Sequence, residues 1–134
     1  MSGLAGVLAD TAAGGWDRDR FRGEELYGNK VGIIGLGRVG YRVASYCEAF
    51  GAQVSWYDPN NVQASAAWQR MPDILSLIAA SRIVVLCASY KSGQPPLMGV
   101  TELAALSGRY LVNTARGELV DETALFAAVS AGRL

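Results

Sequence analysis

The sequence predicts an α/β fold, a doubly wound parallel sheet with helices on both faces, and three observations predict it. Short continuous apolar runs alternate along the chain with segments of helical period. The run Val31-Gly32-Ile33-Ile34 leads straight into Gly35-Leu36-Gly37-Arg38-Val39-Gly40, which opens one of those helical segments. Hydrophobic residues make up 51% of the chain, as a sheet buried on both faces requires. At 134 residues this is a single domain, able to bury about two-thirds of its unfolded surface.

Each element has its own signal. Residues 1–29 form an amino-terminal helical and approach segment: Ala- and Gly-rich from 4 to 15, then charged and turn-rich from Trp16 to Asn29. Residues 30–134 carry the sheet. Val31 to Gly35 reads as a central strand, followed by a helix from Val39 to Phe50. That helix is expected to bury Val39, Val43, Tyr46, Cys47 and Phe50, and to end at Gly51. Gln53 to Tyr57 is the second strand, stopped by Pro59-Asn60-Asn61, and a rudimentary third strand is expected near Trp68. Asp73 caps a short helix through Ala79, and Ile83 to Ala88 is the fourth strand. After the loop Ser89–Gly99, Thr101 is expected to cap a helix ending at Ser107-Gly108. Tyr110 to Asn113 is the fifth strand, and Asp121 caps the last helix through Ser130. Right-handed crossovers then give the order 3-2-1-4-5. The sheet is incomplete at one edge, where the Tyr110 strand lacks an outer neighbour, so an apolar edge calls for cover.

Composition removes several functions. Twelve basic and twelve acidic residues cancel, with no Lys/Arg cluster, so nucleic acid and acidic membrane are poor partners. No apolar run is long enough to span a bilayer. The first ten residues lack the basic lead of a signal peptide, and Cys47 and Cys87 lack metal-ligand spacing. Both read as buried thiols, and a cytoplasmic protein without a metal is expected. The chain has no histidine, so imidazole acid–base chemistry cannot come from it.

The glycine loop carries the positive signal. Gly35 permits a tight turn, Gly37 lets backbone approach a pyrophosphate, and Gly40 lets the helix pack on the strand. The helix offers free amides and the positive end of its dipole to an anion. Asp58 follows at about the spacing at which a carboxylate on the second strand accepts both hydroxyls of a ribose. These features describe a Rossmann-type site for an adenine dinucleotide. A carboxylate there repels a 2′-phosphate, and no Arg or Lys occurs between Asp58 and Gln69, so NAD is expected over NADP.

Three further blocks complete the pattern: Glu25 through Gly35, Tyr57-Asp58-Pro59, and Asn113 through Ala124, which reads NTARGELVDETA. From Trp16 to Leu134 the chain resembles the nucleotide-binding domain of the D-isomer-specific 2-hydroxyacid dehydrogenases. The resemblance implies that Arg38 and Val39 meet the pyrophosphate through backbone amides, and that Asp58 holds the adenosine ribose. It places Ala88 where the backbone passes the cofactor, and Thr114 and Ala115 beside the nicotinamide. It makes Arg116 the catalytic arginine that binds the carboxylate and carbonyl of a 2-keto acid.

The departures are equally specific. The family's His-x-Pro tract after the fourth strand reads Cys87-Ala88-Ser89 here. The family's later glutamate and histidine fall beyond Leu134, and its substrate-binding domain has no counterpart. Loss of a positioned acid costs about 10²–10⁴ in rate, so this chain by itself is not expected to turn over. Two readings follow: the cofactor domain of a dehydrogenase acting on a small 2-keto or 2-hydroxy acid, or a stand-alone, non-catalytic NAD-binding sensor or interaction module. A third, another Rossmann ligand such as S-adenosylmethionine, does not explain the Arg116 block. A homodimer is expected, covering the apolar edge and the Ala-rich amino-terminal segment. Trp56, Tyr57 and Phe50 are read as packing residues, and Lys91 and Tyr90 as parts of a solvated loop.

Overall fold

The computed structural model describes residues 4–15 and 25–134. Helix α1 (Leu4–Ala12) precedes Gly14, whose positive φ ends the turn. The approach segment from Trp16 lies outside the described residues as far as position 24. Strands β1 (Lys30–Ile34), β2 (Gln53–Tyr57), β3 (Gln69–Arg70), β4 (Ile83–Leu86) and β5 (Tyr110–Asn113) form one sheet. Its order is β3-β2-β1-β4-β5, every paired neighbour parallel, as the sequence predicts. Helices α2 (Arg38–Ala49), α3 (Ile74–Ala80) and α4 (Val100–Ala105) make crossovers, and α5 (Glu122–Ser130) follows the last strand.

Two cores lie on the two faces of the sheet. On one, Val31, Ile33, Val54, Trp56 and Val85 pack with Ala44 and Cys47 of α2 and with Trp68. On the other, Ile34, Val84 and Leu86 pack with Leu77 and Ile78 of α3, Leu103 of α4 and Leu106 just after it. Alternation along each strand sends successive side chains to opposite cores. Gly32 marks the closest approach on the second face. A Cβ there would stand 2.3 Å from Ser81 Oγ and 2.5 Å from Leu77 Cδ2.

Four sequence expectations need correction. The buried stripe of α2 is Gly40, Ala44 and Cys47, with Val43 half-buried, whereas Val39, Tyr46 and Phe50 are 56, 63 and 65% exposed. Small residues at that spacing let the helix sit close on the sheet and turn the bulky ones outward. Phe50 is therefore not a packing residue. Helix α4 is capped through Gly99, whose amide donates to Glu102 Oε2 at 3.0 Å, not by Thr101. Strand β4 ends at Leu86, although the Cys87 amide still donates to Ile34 O at 2.8 Å. Cys87 consequently lies just past the strand and is half-buried, while Cys47 is buried as expected. The other two caps form as read: Asp73 accepts from Ser76 N and Asp121 from Ala124 N. Among the described residues β5 pairs only with β4, and Val112 on it is exposed.

Candidate functional site

The carboxyl ends of β1, β2, β4 and β5 meet the amino end of α2 at one edge of the sheet. The glycine loop is shaped by packing. Gly35 has φ +88°, and a Cβ on it would lie 2.5 Å from Ala88 Cα, so the turn and the passing backbone of Ala88 both require glycine. A Cβ on Gly40 would lie 2.0 Å from Gly35 O, which seats the first turn of α2 against the loop. Gly37 has nothing within 4 Å of its Cβ position and caps α2 with extended backbone and no side chain. The first amides of a helix have no partner within it, and here no side chain stands over them at Gly37.

Asp58 is the most enclosed charged group at this edge, 8% exposed. Its Oδ2 accepts the Leu36 amide at 2.9 Å, tying the turn after β2 to the glycine loop after β1. Its Oδ1 accepts the Asn60 amide at 2.8 Å and Asn60 Nδ2 at 3.0 Å. A hollow of about 390 Å³ beside it is lined by Tyr57, Asp58, Pro59, Arg70, Met71 and Pro72. A larger one, about 500 Å³, lies along Leu36, Gly37, Arg38, Tyr41, Arg42 and Val62.

Across the mouth, Val39, Cys87, Ala88, Thr114, Ala115 and Arg116 line a third hollow of about 350 Å³, together with Ser89 and Tyr90. Side chains hold the loop that carries Arg116. Asn113 Nδ2 donates to Arg116 O at 2.9 Å, and its Oδ1 accepts the Ala115 amide at 2.9 Å. Thr114 Oγ1 donates to Leu86 O at 3.0 Å. A parallel bridge between Met98 and Val120 fastens the long loop after β4 to the chain just beyond. The Arg116 guanidinium is exposed and donates to Ala115 O at 3.1 Å. Burial pushes the Cys87 thiol up, partly offset by its 3.3 Å contact with Thr114 Oγ1, so it stays protonated at neutral pH.

All the residues expected from the sequence thus lie at this edge: Gly35, Gly37, Arg38, Val39, Gly40 and Asp58 on one side, Ala88, Thr114, Ala115 and Arg116 on the other. Four others were not singled out. Leu36 takes part through its amide and Asn113 through its carboxamide. Asn60 reaches the carboxylate two residues back. Arg70 follows Gln69 directly, and strand pairing with Trp56 brings it beside Asp58. Of these, the two-residue spacing of Asp58 and Asn60, typical of an Asx turn, is the signal that the linear sequence carries.

An amide-lined helix end joined to a buried carboxylate on the neighbouring strand defines a dinucleotide-binding α/β domain. Comparison with known proteins gives the family. Residues 2–134 match the model for "D-isomer specific 2-hydroxyacid dehydrogenase, NAD binding domain", and the chain belongs to that family. It is 35% identical over 132 residues to D-3-phosphoglycerate dehydrogenase of Methanocaldococcus jannaschii, covering 96% of this chain and 25% of that protein. It is 39% identical over 123 residues to the Mycobacterium bovis enzyme of the same name, covering 89% and 23%. The structure of Aquifex aeolicus D-lactate dehydrogenase complexed with NAD and lactic acid superposes with a TM-score of 0.84 at 28% identity, covering 96% of this chain and 39% of that one. The chain therefore spans about a quarter of the length of the curated relatives it matches. No helix among the described residues is long and apolar enough to cross a membrane.

Proposed function

We propose that this chain is the NAD(H)-holding domain of an oxidoreductase that interconverts a 2-keto acid and a D-2-hydroxy acid. The single observation that carries the reading is the Asp58–Leu36 hydrogen bond, which sets a buried carboxylate beside the glycine-capped start of α2. The residues fit the cofactor: an open cradle at Gly37 suits a pyrophosphate, and Asp58 suits a ribose diol. When bound, NADH supplies a hydride. The chain's own contribution is to bind and orient. Gly35, Gly37, Arg38, Val39 and Gly40 form the phosphate cradle, Asp58 holds the sugar, and Ala88, Thr114 and Ala115 shape the opposite wall. Arg116, free of any ion pair among the described residues, presents a planar fork that suits a carboxylate and its adjacent carbonyl. It would hold the keto acid and draw charge toward the carbonyl oxygen.

NAD is favoured over NADP, since the Asp58 carboxylate repels a 2′-phosphate. Arg70 is engaged elsewhere, 5.2 Å from the centre of the Trp56 ring and 3.5 Å from Asn60 O. These 134 residues hold no histidine to serve as proton donor, and that also supports the second reading, an NAD-binding module without catalysis. The exposed apolar residues Val112 on β5 and Phe126 and Val129 on α5 support a homodimer, and sedimentation showing a monomer at high concentration would refute it. Two free thiols suit the reducing cytoplasm. Calorimetric titration with NADH tests the central claim. Saturable one-to-one binding is expected, and no heat at high cofactor concentration would overturn it.

A further inference from the structure

We propose that Asn60 is an internal stand-in for the adenosine ribose, holding Asp58 Oδ1 until a diol displaces its carboxamide, and so tempers the affinity of the site for the sugar. The inference rests on the function proposed above. A carboxylate offers about four acceptor positions. Asp58 has three filled by this chain: the Leu36 amide on Oδ2, and the Asn60 amide and Nδ2 on Oδ1. A ribose presents two hydroxyl donors, so one protein donor must give way.

The three are not equally free to leave. The Leu36 and Asn60 amides are backbone, fixed by the glycine loop and by the turn after β2. The Asn60 carboxamide is on an exposed residue, and rotation about its side chain carries Nδ2 into water, where its hydrogen bonds are replaced. Arg70 donates to Asn60 O, which steadies the backbone of the turn from outside while the side chain moves. The site therefore closes on itself at the cost of affinity. An internal competitor lowers apparent affinity by the fraction of molecules it occupies. A ligand without hydroxyls at this position cannot replace the carboxamide's hydrogen bond, so it gains nothing from the carboxylate. Asn60 makes such ligands leave Asp58 already satisfied.

The test uses ADP and 2′,3′-dideoxy-ADP as probes, with the whole chain and its Asn60→Ala variant, by calorimetry beside an NADH titration. The variant keeps the backbone amide on Oδ1 and alters an exposed position, and its thermal melt reports whether it folds. Removal of the stand-in is expected to tighten ADP about 3- to 10-fold, the range a single net hydrogen bond spans, and to leave dideoxy-ADP unchanged. Asn60→Ser, with a shorter donor, is expected to fall between. An equal change for both probes, or none for either, would mean that Asn60 only shapes the turn and would overturn the proposal. Selective weakening of ADP would make Asn60 a direct ligand and overturn it too. Failure of the unaltered chain to bind ADP or NADH would instead sink the cofactor assignment, and this inference with it.

Discussion

The two walls of the mouth are built on different terms. On the β1–β2 side, fit comes from absence: glycines at 35 and 40 allow backbone to approach where a Cβ would stand 2.5 or 2.0 Å from its neighbour. A buried carboxylate then binds the two turns together. On the β4–β5 side, fit comes from exposed polar side chains at the end of β5 and just after it, Asn113 and Thr114 holding a loop whose Arg116 donates to the adjoining carbonyl. The first wall is preorganised by the fold of this chain and cannot shift without disturbing a core. The second has a positioned backbone and an exposed guanidinium bonded to the adjoining carbonyl. In the function proposed above, the first wall holds the cofactor through backbone and a carboxylate, whereas the second presents Arg116 to the substrate.

Substitutions can break or sharpen that contrast. The largest effect is expected from Gly40→Ala, because the clash is with a backbone carbonyl that no side-chain rotation relieves. It should cost about 3 kcal/mol or more in urea unfolding and remove NADH binding; a normal melt with intact binding would show the close seat of α2 to be dispensable. Asp58→Ala comes next. It leaves the Leu36 and Asn60 donors without their acceptor, for a loss of about 1–3 kcal/mol, and NADH affinity should fall at least about tenfold. An unchanged dissociation constant would deny it the sugar.

A smaller effect is expected at Asp73, which caps α3 and lines none of the three hollows. The Ser76 amide holds its carboxyl below the usual carboxylate range, so its contribution is present above the unfolded value and lost as pH falls through the folded one. Asp73→Ala should lower Tm slightly at neutral pH, and the gap from the unaltered chain should close in acid. A constant gap would assign the loss to something other than the charged cap. The smallest change in folding is expected from Arg116→Ala, within about 0.5 kcal/mol, with NADH affinity of the chain little altered. In the dehydrogenase proposed above the same substitution should lower turnover about 10²–10³-fold. A destabilised Arg116→Ala chain would show that this wall, like the other, is part of the frame.

Much of the frame was legible because its signals are local. Strand order followed from apolar runs and handed crossovers, and Asp73 and Asp121 declared themselves as caps by standing just before helical periods. The glycine loop and Asp58 were legible by spacing, as was the NTARG block by its resemblance. Reading by hydrophobicity failed on α2, since close packing there selects Gly40 and Ala44 over Val39 and Phe50. It also missed that Glu102, reaching back to Gly99, could terminate α4 better than Thr101. Arg70 escaped because its proximity to Asp58 arises from pairing between β2 and β3, and the second of these is only two residues long. Contacts across strands leave no trace in linear spacing.

The bare helix end at Gly37 has an evolutionary corollary. Where peptide groups face an anion, the genetic code can alter neighbouring side chains at 38 and 39 without touching the atoms that do the holding. Tolerance at those two positions would thus coexist with strict demands at 35 and 40, and variants could drift widely around an unchanged backbone turn.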